Sequence, residues 1–113
     1  MPHRSLGSKL RELWFHSNDA GDEGASALAH ALGRNTRLHT VGVFDNAISA
    51  DGAADLELTT RVNRALSSMP GLRYNDVPRN VADNIDAAMA RNRDAQRAAG
   101  PYVPRHLDDR RYL

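Results

Sequence analysis

The sequence predicts an α/β fold of stacked strand–helix units, and two observations support this fold class. First, seven positions recur at one constant offset along the chain with chemically similar side chains. Second, each copy begins with alternating apolar residues, as in a strand, and continues with an apolar stripe at helical period. The first copy is Leu10, Leu13, Phe15, Asn18, Ala20, Gly24 and Leu28, and the second is Leu38, Val41, Val43, Asn46, Ile48, Gly52 and Leu56. A constant offset of this kind is typical of units that bury their apolar faces against each other.

The 113 residues suffice for one domain. We predict an N-terminal arm (1–9), a repeat domain (10–99) with units 10–37, 38–71 and 72–99, and an extended C-terminal tail (100–113). The short arm cannot form the capping unit that usually covers the first strand of a repeat array. The first strand is therefore expected to be an open edge unless another chain covers it.

The first unit predicts a strand over residues 10–18, followed by a helix. Alternation directs two side chains into the core and three to the opposite face: Leu13 and Phe15 inward, and Glu12, Trp14 and His16 outward. Asp22 and Glu23 begin the helix, where acidic groups favour the positive end of its dipole. The predicted apolar stripe of this helix comprises Ala25, Leu28, Ala31 and Leu32.

The second unit predicts the same pair of elements with a longer helix. Its strand covers residues 38–46, with Thr40, Gly42 and Phe44 facing outward, and Ser49 or Asp51 can cap the helix. Extra residues are expected near Asp55–Thr60. After them, Val62, Ala65 and Leu66 are expected to take the inward places of Leu28, Ala31 and Leu32.

The third unit is degenerate and is expected to begin at Leu72. Its matches to the first unit are Leu72, Val77, Asn80 and Ala82, while Asn75 replaces the inward Leu13. Pro78 lacks an amide donor, which predicts an edge strand. A final helix is predicted over residues 82–98, with Ile85, Ala88 and Met89 inward.

Composition excludes several classes of protein. The chain has no Cys, so disulfide scaffolds and Cys-based zinc sites are ruled out. The formal net charge of +1 gives no global field for nucleic acid or membrane. No apolar run approaches the roughly 18 residues of a membrane span. We expect an intracellular protein, in the cytoplasm or inside an organelle.

The two matching segments, LRELWFHSNDAGDEGASALAHAL and LHTVGVFDNAISADGAADL, resemble the leucine-rich repeat family, in particular its ribonuclease-inhibitor-like subtype. The resemblance covers Leu10–Asn92, and NVADNIDAAMARNRD is similar to the terminal units of such arrays in eukaryotic proteins. It implies a short, curved right-handed solenoid with parallel strands on the concave face and helices on the convex face. It also implies protein binding through the concave face.

Stacking the units predicts columns of outward residues on the strand face, and these form the predicted binding site. The columns are Glu12, Thr40 and Tyr74; Trp14, Gly42 and Asp76; and His16, Phe44 and Pro78. The predicted partner-binding residues are Trp14, His16, Phe44, Tyr74, Glu12 and Asp76, because exposed aromatic clusters mark interfaces. Alternatively, Trp14 or Phe44 folds over Gly42 and shields the sheet. In the tail, Tyr102, Leu107 and Tyr112 are predicted anchors.

No arrangement of residues points to catalysis. The column of Asn18, Asn46 and Asn80 is interpreted as backbone hydrogen bonding inside the fold. Neither metal-binding spacing nor a phosphate loop occurs, so no metal or cofactor is expected.

The functional prediction is a non-catalytic protein–protein interaction module, a structural subunit docked in a larger assembly of protein chains. The concave face, the open N-terminal edge and the tail would make the contacts, and no small-molecule substrate is expected. The alternatives are a free-standing regulatory adaptor and a peripheral RNA-contacting subunit that uses tail arginines.

Overall fold

The computed structural model describes residues 11–14, 21–44 and 46–99. Three helices dominate, with a small parallel sheet along one side. The elements are β1 (Glu12–Trp14), α1 (Gly21–Leu32), β2 (Thr40–Gly42), α2 (Ala50–Val62), a 3₁₀ helix (Leu72–Tyr74) and α3 (Arg79–Ala99). Helix α2 packs against α1 on one side and against α3 on the other.

The sheet has two parallel strands, and its register equals the repeat offset in the sequence. Glu12 lies beside Thr40, Leu13 beside Val41 and Trp14 beside Gly42. Beyond β2, the described chain meets the sheet at an isolated parallel bridge between Thr40 and Ser68, and the amide of Val43 also donates to the carbonyl of Pro70 at 2.9 Å. The pairing places the side chains of β1 next to those of β2 on the exposed face, which is where the candidate site lies.

This structure corrects the predicted fold class. Within the described ranges no third strand forms, so the fold is mostly helical and is not a solenoid of multiple repeats. The reason lies in the segment after Ser68. Pro70 has no amide donor, Gly71 has a left-handed φ of 84°, and Leu72–Tyr74 is a 3₁₀ helix rather than a strand. The prediction of a concave strand face that continues over three units is therefore wrong.

The third segment also aligns differently from the prediction. Leu66 follows Leu38 at the repeat offset and is buried like it, and Ser68 rather than Tyr74 lies beside Thr40. Helix α2 ends at Val62, whose side chain is 70% exposed, so its predicted inward position is wrong. The expected extra residues near Asp55–Thr60 are ordinary helix within α2.

The core lies between the helices and the sheet. Ile85, Ala88 and Met89 of α3 are buried, as the helical period predicted. From the sheet, Val41 is fully buried and Leu13 packs partly buried against the cluster.

Two details of the helices differ from the prediction. Ala31 of α1 is exposed and Ala29 is buried in its place, because α2 packs on the side of α1 that carries Ala29. Helix α3 begins at Arg79, earlier than expected, and the carbonyl of Pro78 accepts the amide of Ala82. Pro78 therefore precedes a helix instead of interrupting an edge strand.

Two buried asparagine side chains connect neighbouring helices: Asn63 contacts the C-terminal end of α1, and Asn92 of α3 contacts the C-terminal end of α2. Asn63 Nδ2 donates to the carbonyls of Leu32 and Asn35, at 2.9 and 3.1 Å. Asn92 Nδ2 donates in the same way to the carbonyls of Asn63 and Leu66, at 2.8 and 2.6 Å. Buried amides in this position satisfy carbonyls that the helices cannot satisfy themselves. The spacing of this pair is close to the repeat offset, but the pair was not recognised in the sequence.

In the described part of the chain, no helix combines the length and apolarity that crossing a membrane requires.

Candidate binding face

The candidate site is the aromatic face, which we define as Trp14, Phe44 and Tyr74. Trp14 lies on the exposed side of the sheet over Gly42, Phe44 follows β2, and Tyr74 of the 3₁₀ helix contacts Phe44. Trp14 is 46% exposed and Tyr74 is 69% exposed, while Phe44 is half-buried between its neighbours. Exposed apolar patches rimmed by polar residues mark surfaces that bind other molecules. The aromatic face is the described part of the predicted aromatic cluster.

Trp14 lies flat against the backbone of the neighbouring strand. A Cβ atom at Gly42 would overlap the indole ring, so the ring occupies the space that a side chain would take. The indole Nε1 donates to Glu12 Oε1 at 3.1 Å. The alternative interpretation of the sequence, in which Trp14 covers Gly42, is therefore confirmed for this residue. The outer face of the ring still contacts solvent, so Trp14 both shields the sheet and offers apolar surface.

Phe44 and Tyr74 form the second half of the aromatic face. The ring centroids are 5.3 Å apart and the planes are tilted by 34°, a favourable arrangement for an aromatic pair. Phe44 covers Gly71, where a Cβ atom would lie 2.5 Å from Phe44 Cδ2. Tyr74 therefore joins the face through a 3₁₀ helix that packs on Phe44. The predicted column of Glu12, Thr40 and Tyr74 is wrong, since Ser68 takes the place beside Thr40.

The side-chain amide of Asn75 holds the loop that follows β2 in position. Asn75 Oδ1 accepts the backbone amides of Asn46 and Ile48, at 2.9 and 3.1 Å. Its Nδ2 donates to three carbonyls, those of Val43 at 2.8 Å, Gly71 at 3.1 Å and Leu72 at 3.2 Å. Asn75 thus connects the end of β2 to the 3₁₀ helix. The loop that it holds places the neighbouring Tyr74 against Phe44.

The predicted column of backbone-bonding asparagines names Asn80 where the structure has Asn75. Asn46 is fully buried and donates to the carbonyl of Phe44, which agrees with its predicted backbone role. Asn80, predicted as the next member, lies exposed on α3. Asn75 acts in its place, close to the repeat offset from Asn46. An Asn–Asp pair shortly before a proline is a turn signal that could have identified it.

The remaining predicted site residues fall into two groups. Asp76 is exposed in the loop beside Tyr74, and its backbone amide donates to the carbonyl of Ile48 at 2.8 Å. Glu12 is exposed on β1 and accepts from Trp14. His16, Asn18 and the tail anchors lie outside the described residues; the anchors are Tyr102, Leu107 and Tyr112.

Two groups of polar contacts involve charged side chains: one connects the 3₁₀ helix to α3, and the other connects the starts of α1 and α2. The Arg73 guanidinium donates to Asp83 at 2.8 Å and to Asp86 at 2.6 Å. These hydrogen bonds raise the pKa of Arg73, and the bond to Asp83 has the larger effect. Asp22 accepts both the hydroxyl and the amide (2.7 Å) of Ser49, and these bonds lower the pKa of the Asp22 carboxyl. Asp22 therefore connects the starts of α1 and α2. The described residues include no group of three or more side chains able to hold a metal ion.

Chemically, the arrangement suits recognition. It offers aromatic surface with acidic groups at its margin, Glu12 beside Trp14 and Asp76 beside Tyr74. Surfaces of this composition bind proteins by burying the rings while polar groups at the rim set specificity. Comparison of the sequence with models of known protein families finds no match.

Proposed function

We propose that this chain is a non-catalytic protein–protein interaction module that binds another protein chain across its aromatic face. The observation that carries the proposal is the exposure of Trp14 and Tyr74 on an ordered surface. Both rings are held by the fold, Trp14 against Gly42 and Tyr74 against Phe44. Aromatic side chains that are already held in place lose little conformational entropy on binding, so they are effective anchors.

The sheet edge supports the same function. Glu12 and Trp14 are on β1, and among the described residues only β2 pairs with this strand. A strand edge next to aromatic side chains can accept an extended segment of a partner by adding backbone hydrogen bonds. The sequence likeness to leucine-rich repeats points in the same direction, since that family usually binds proteins through its strand face. The solenoid that the likeness implied forms no part of this proposal.

Selection from a displayed peptide library tests the proposal. Peptides that bind the immobilised full chain should lose about tenfold in affinity on Tyr74→Ala, because truncating an aromatic anchor typically removes over about 1 kcal/mol. Leu58→Ala is the matched control, because Leu58 is also exposed (56%) but lies on α2. If no selected peptide distinguishes Tyr74→Ala from wild type, or if the peptides are lost on Leu58→Ala, the proposed face is contradicted.

A further inference from the structure

A second surface lies at the C-terminal ends of α1 and α2, away from the aromatic face. A groove of about 450 Å³ opens there, which we call the helix-end groove. Its apolar lining comprises Leu32, Gly33, Val62 and Ala65, and its polar lining includes His39 and Arg64. Leu32 is buried at the floor, whereas Val62 is exposed at the side. The groove can therefore accept an apolar side chain.

Helices α1 and α2 run in the same direction, so their ends coincide. Thr59 Oγ1 donates to the carbonyl of Ala29 at 2.8 Å, and Asn63 contacts Leu32 about one turn further along both helices. The loops that follow the two helices meet at this end. They carry Arg34 and Arg37 after α1 and Arg64 after α2, all three exposed. Arg64 lines the groove itself, and Arg34 and Arg37 follow its lining residues Gly33 and Thr36 in the chain, which makes this margin basic.

Cations at the C-terminal end of a helix often serve only to offset the negative end of its dipole. Here other side chains already perform that task. Arg91 donates to the carbonyls of Thr60 and Asn63, at 2.9 and 3.1 Å, and Gln96 donates to that of Ala65 at 3.0 Å. The carbonyl of Leu32 accepts from Asn63. The helix ends thus have donors that do not involve the three exposed arginines.

Within the described part of the chain, Arg34, Arg37 and Arg64 form no ion pair. Asp94, the acidic residue in the C-terminal half of α3, pairs with Arg97 at 3.4 Å. Burial and the positive charge of Arg64 lower the pKa of Arg91, so like charges are close together at this end. An anionic group placed here would relieve that repulsion.

We propose that the helix-end groove binds an acidic peptide segment, which inserts one apolar side chain between Leu32 and Val62 and places its carboxylates against the three exposed arginines. Charge complementarity selects this occupant, because an apolar floor with a basic margin matches an apolar anchor flanked by acidic residues. A nucleic acid would satisfy the arginines but would leave the apolar lining unused. The proposal is independent of the aromatic face, since it uses different elements.

Fluorescence anisotropy with short labelled peptides tests this inference on the full chain. The probe is a peptide of glutamates around a central leucine. Matched probes replace the leucine with serine or the glutamates with lysines, and a single-stranded oligonucleotide serves as the polyanion probe. The glutamate–leucine peptide should bind most tightly, and its affinity should fall as salt is raised. If the serine peptide or the oligonucleotide binds equally well, the groove is not the site and the inference is overturned.

Variants locate the binding. Val62→Ser removes an apolar side chain from the groove, and Arg64→Glu reverses a charge at its margin. Each variant should weaken the affinity for the glutamate–leucine peptide about tenfold. Leu58→Ser is the matched control for the first, being exposed on the same helix outside the groove. Arg79→Glu, at the opposite end of α3, is the control for the second. Unchanged affinity in Val62→Ser and Arg64→Glu, or equal losses in the controls, would refute the proposal.

Discussion

The indole of Trp14 occupies the space above Gly42 that a side chain would fill, one strand away in the parallel pair. Gly42 is buried beneath the ring although it lies on the outward face of the sheet. The two residues therefore depend on each other. An aromatic ring at position 14 is compatible with the fold because position 42 has no Cβ, and the ring in turn shields the backbone of β2.

This dependence gives a coupling prediction. Gly42→Ala should destabilise the chain by about 1–3 kcal/mol, because the added methyl overlaps the ring and forces it off the sheet. In a Trp14→Ala background the same change should cost much less, since the overlap is gone. Denaturant titrations of the four chains measure the difference. Additive effects would show that the ring does not occupy this space in solution.

The second prediction concerns Asn75, whose side chain makes five hydrogen bonds to backbone groups. Asn75→Ala should cost about 2–4 kcal/mol in unfolding free energy, because it leaves several partly buried backbone groups unsatisfied. The same substitution at the exposed Asn80 should change stability by less than about 0.5 kcal/mol. Thermal or urea unfolding measures both. Equal effects would mean that Asn75 does not organise this loop.

The third prediction concerns Asn92, buried between α3 and the end of α2. Asn92→Leu keeps a similar side-chain volume but removes donors from the carbonyls of Asn63 and Leu66. We expect a loss of about 2–4 kcal/mol in unfolding free energy. Asn84→Leu, at an exposed amide on the same helix, should stay within about 1 kcal/mol of wild type. A small effect at Asn92 in denaturant titrations would contradict this role.

The fourth prediction is a pH dependence at Asp22. The hydrogen bonds from Ser49 lower its pKa in the folded chain below the ordinary value of 3.8. Its contribution to stability is therefore present above pH 3.8 and is lost as the pH falls through the lowered pKa. The stability difference between wild type and Asp22→Asn should shrink across that acidic range. A difference that stays constant with pH would exclude this linkage.

Some of this fold could be predicted from the sequence. The repeat offset matches the register of β1 and β2, because identical spacing places Leu13 and Val41 at equivalent positions. Helix starts near Asp22 and Asp51 and the buried side of α3 also followed from apolar period and acidic residues. Local signals sufficed for these elements.

The third segment could not be interpreted in the same way. Leu66 continues the series of Leu38, yet Val62, Ala65 and Leu66 also look like the end of a helical stripe. The helical interpretation shifted the predicted third unit to Leu72 and made Asn80 its asparagine. Packing decides between the strand and the helical interpretation, because Ser68 forms a bridge with Thr40. The 3₁₀ helix that follows then places Tyr74 against Phe44. No local propensity specifies that choice.

The residues of the candidate site could be predicted more accurately than their arrangement in space. Alternation along the strands identified Trp14 and Phe44 as outward residues. Their contacts with Gly42 and Gly71 depend on the strand register and on the loop that Asn75 holds. The helix-end groove could not be predicted, because its lining combines the ends of α1 and α2, the loops that follow them, and Gln96 of α3.

Coverage of the aromatic face by a partner can be measured at Trp14, because it is the only tryptophan in the chain. The measurement is acrylamide quenching of Trp14 fluorescence, with and without a saturating peptide that was selected on the full chain and that binds Arg64→Glu as tightly as wild type. The bound peptide should reduce quenching and shift the emission to shorter wavelength, because the exposed side of the indole becomes buried. Quenching that is unchanged at saturation would show that the peptide binds elsewhere, and the aromatic face would then not be the binding site.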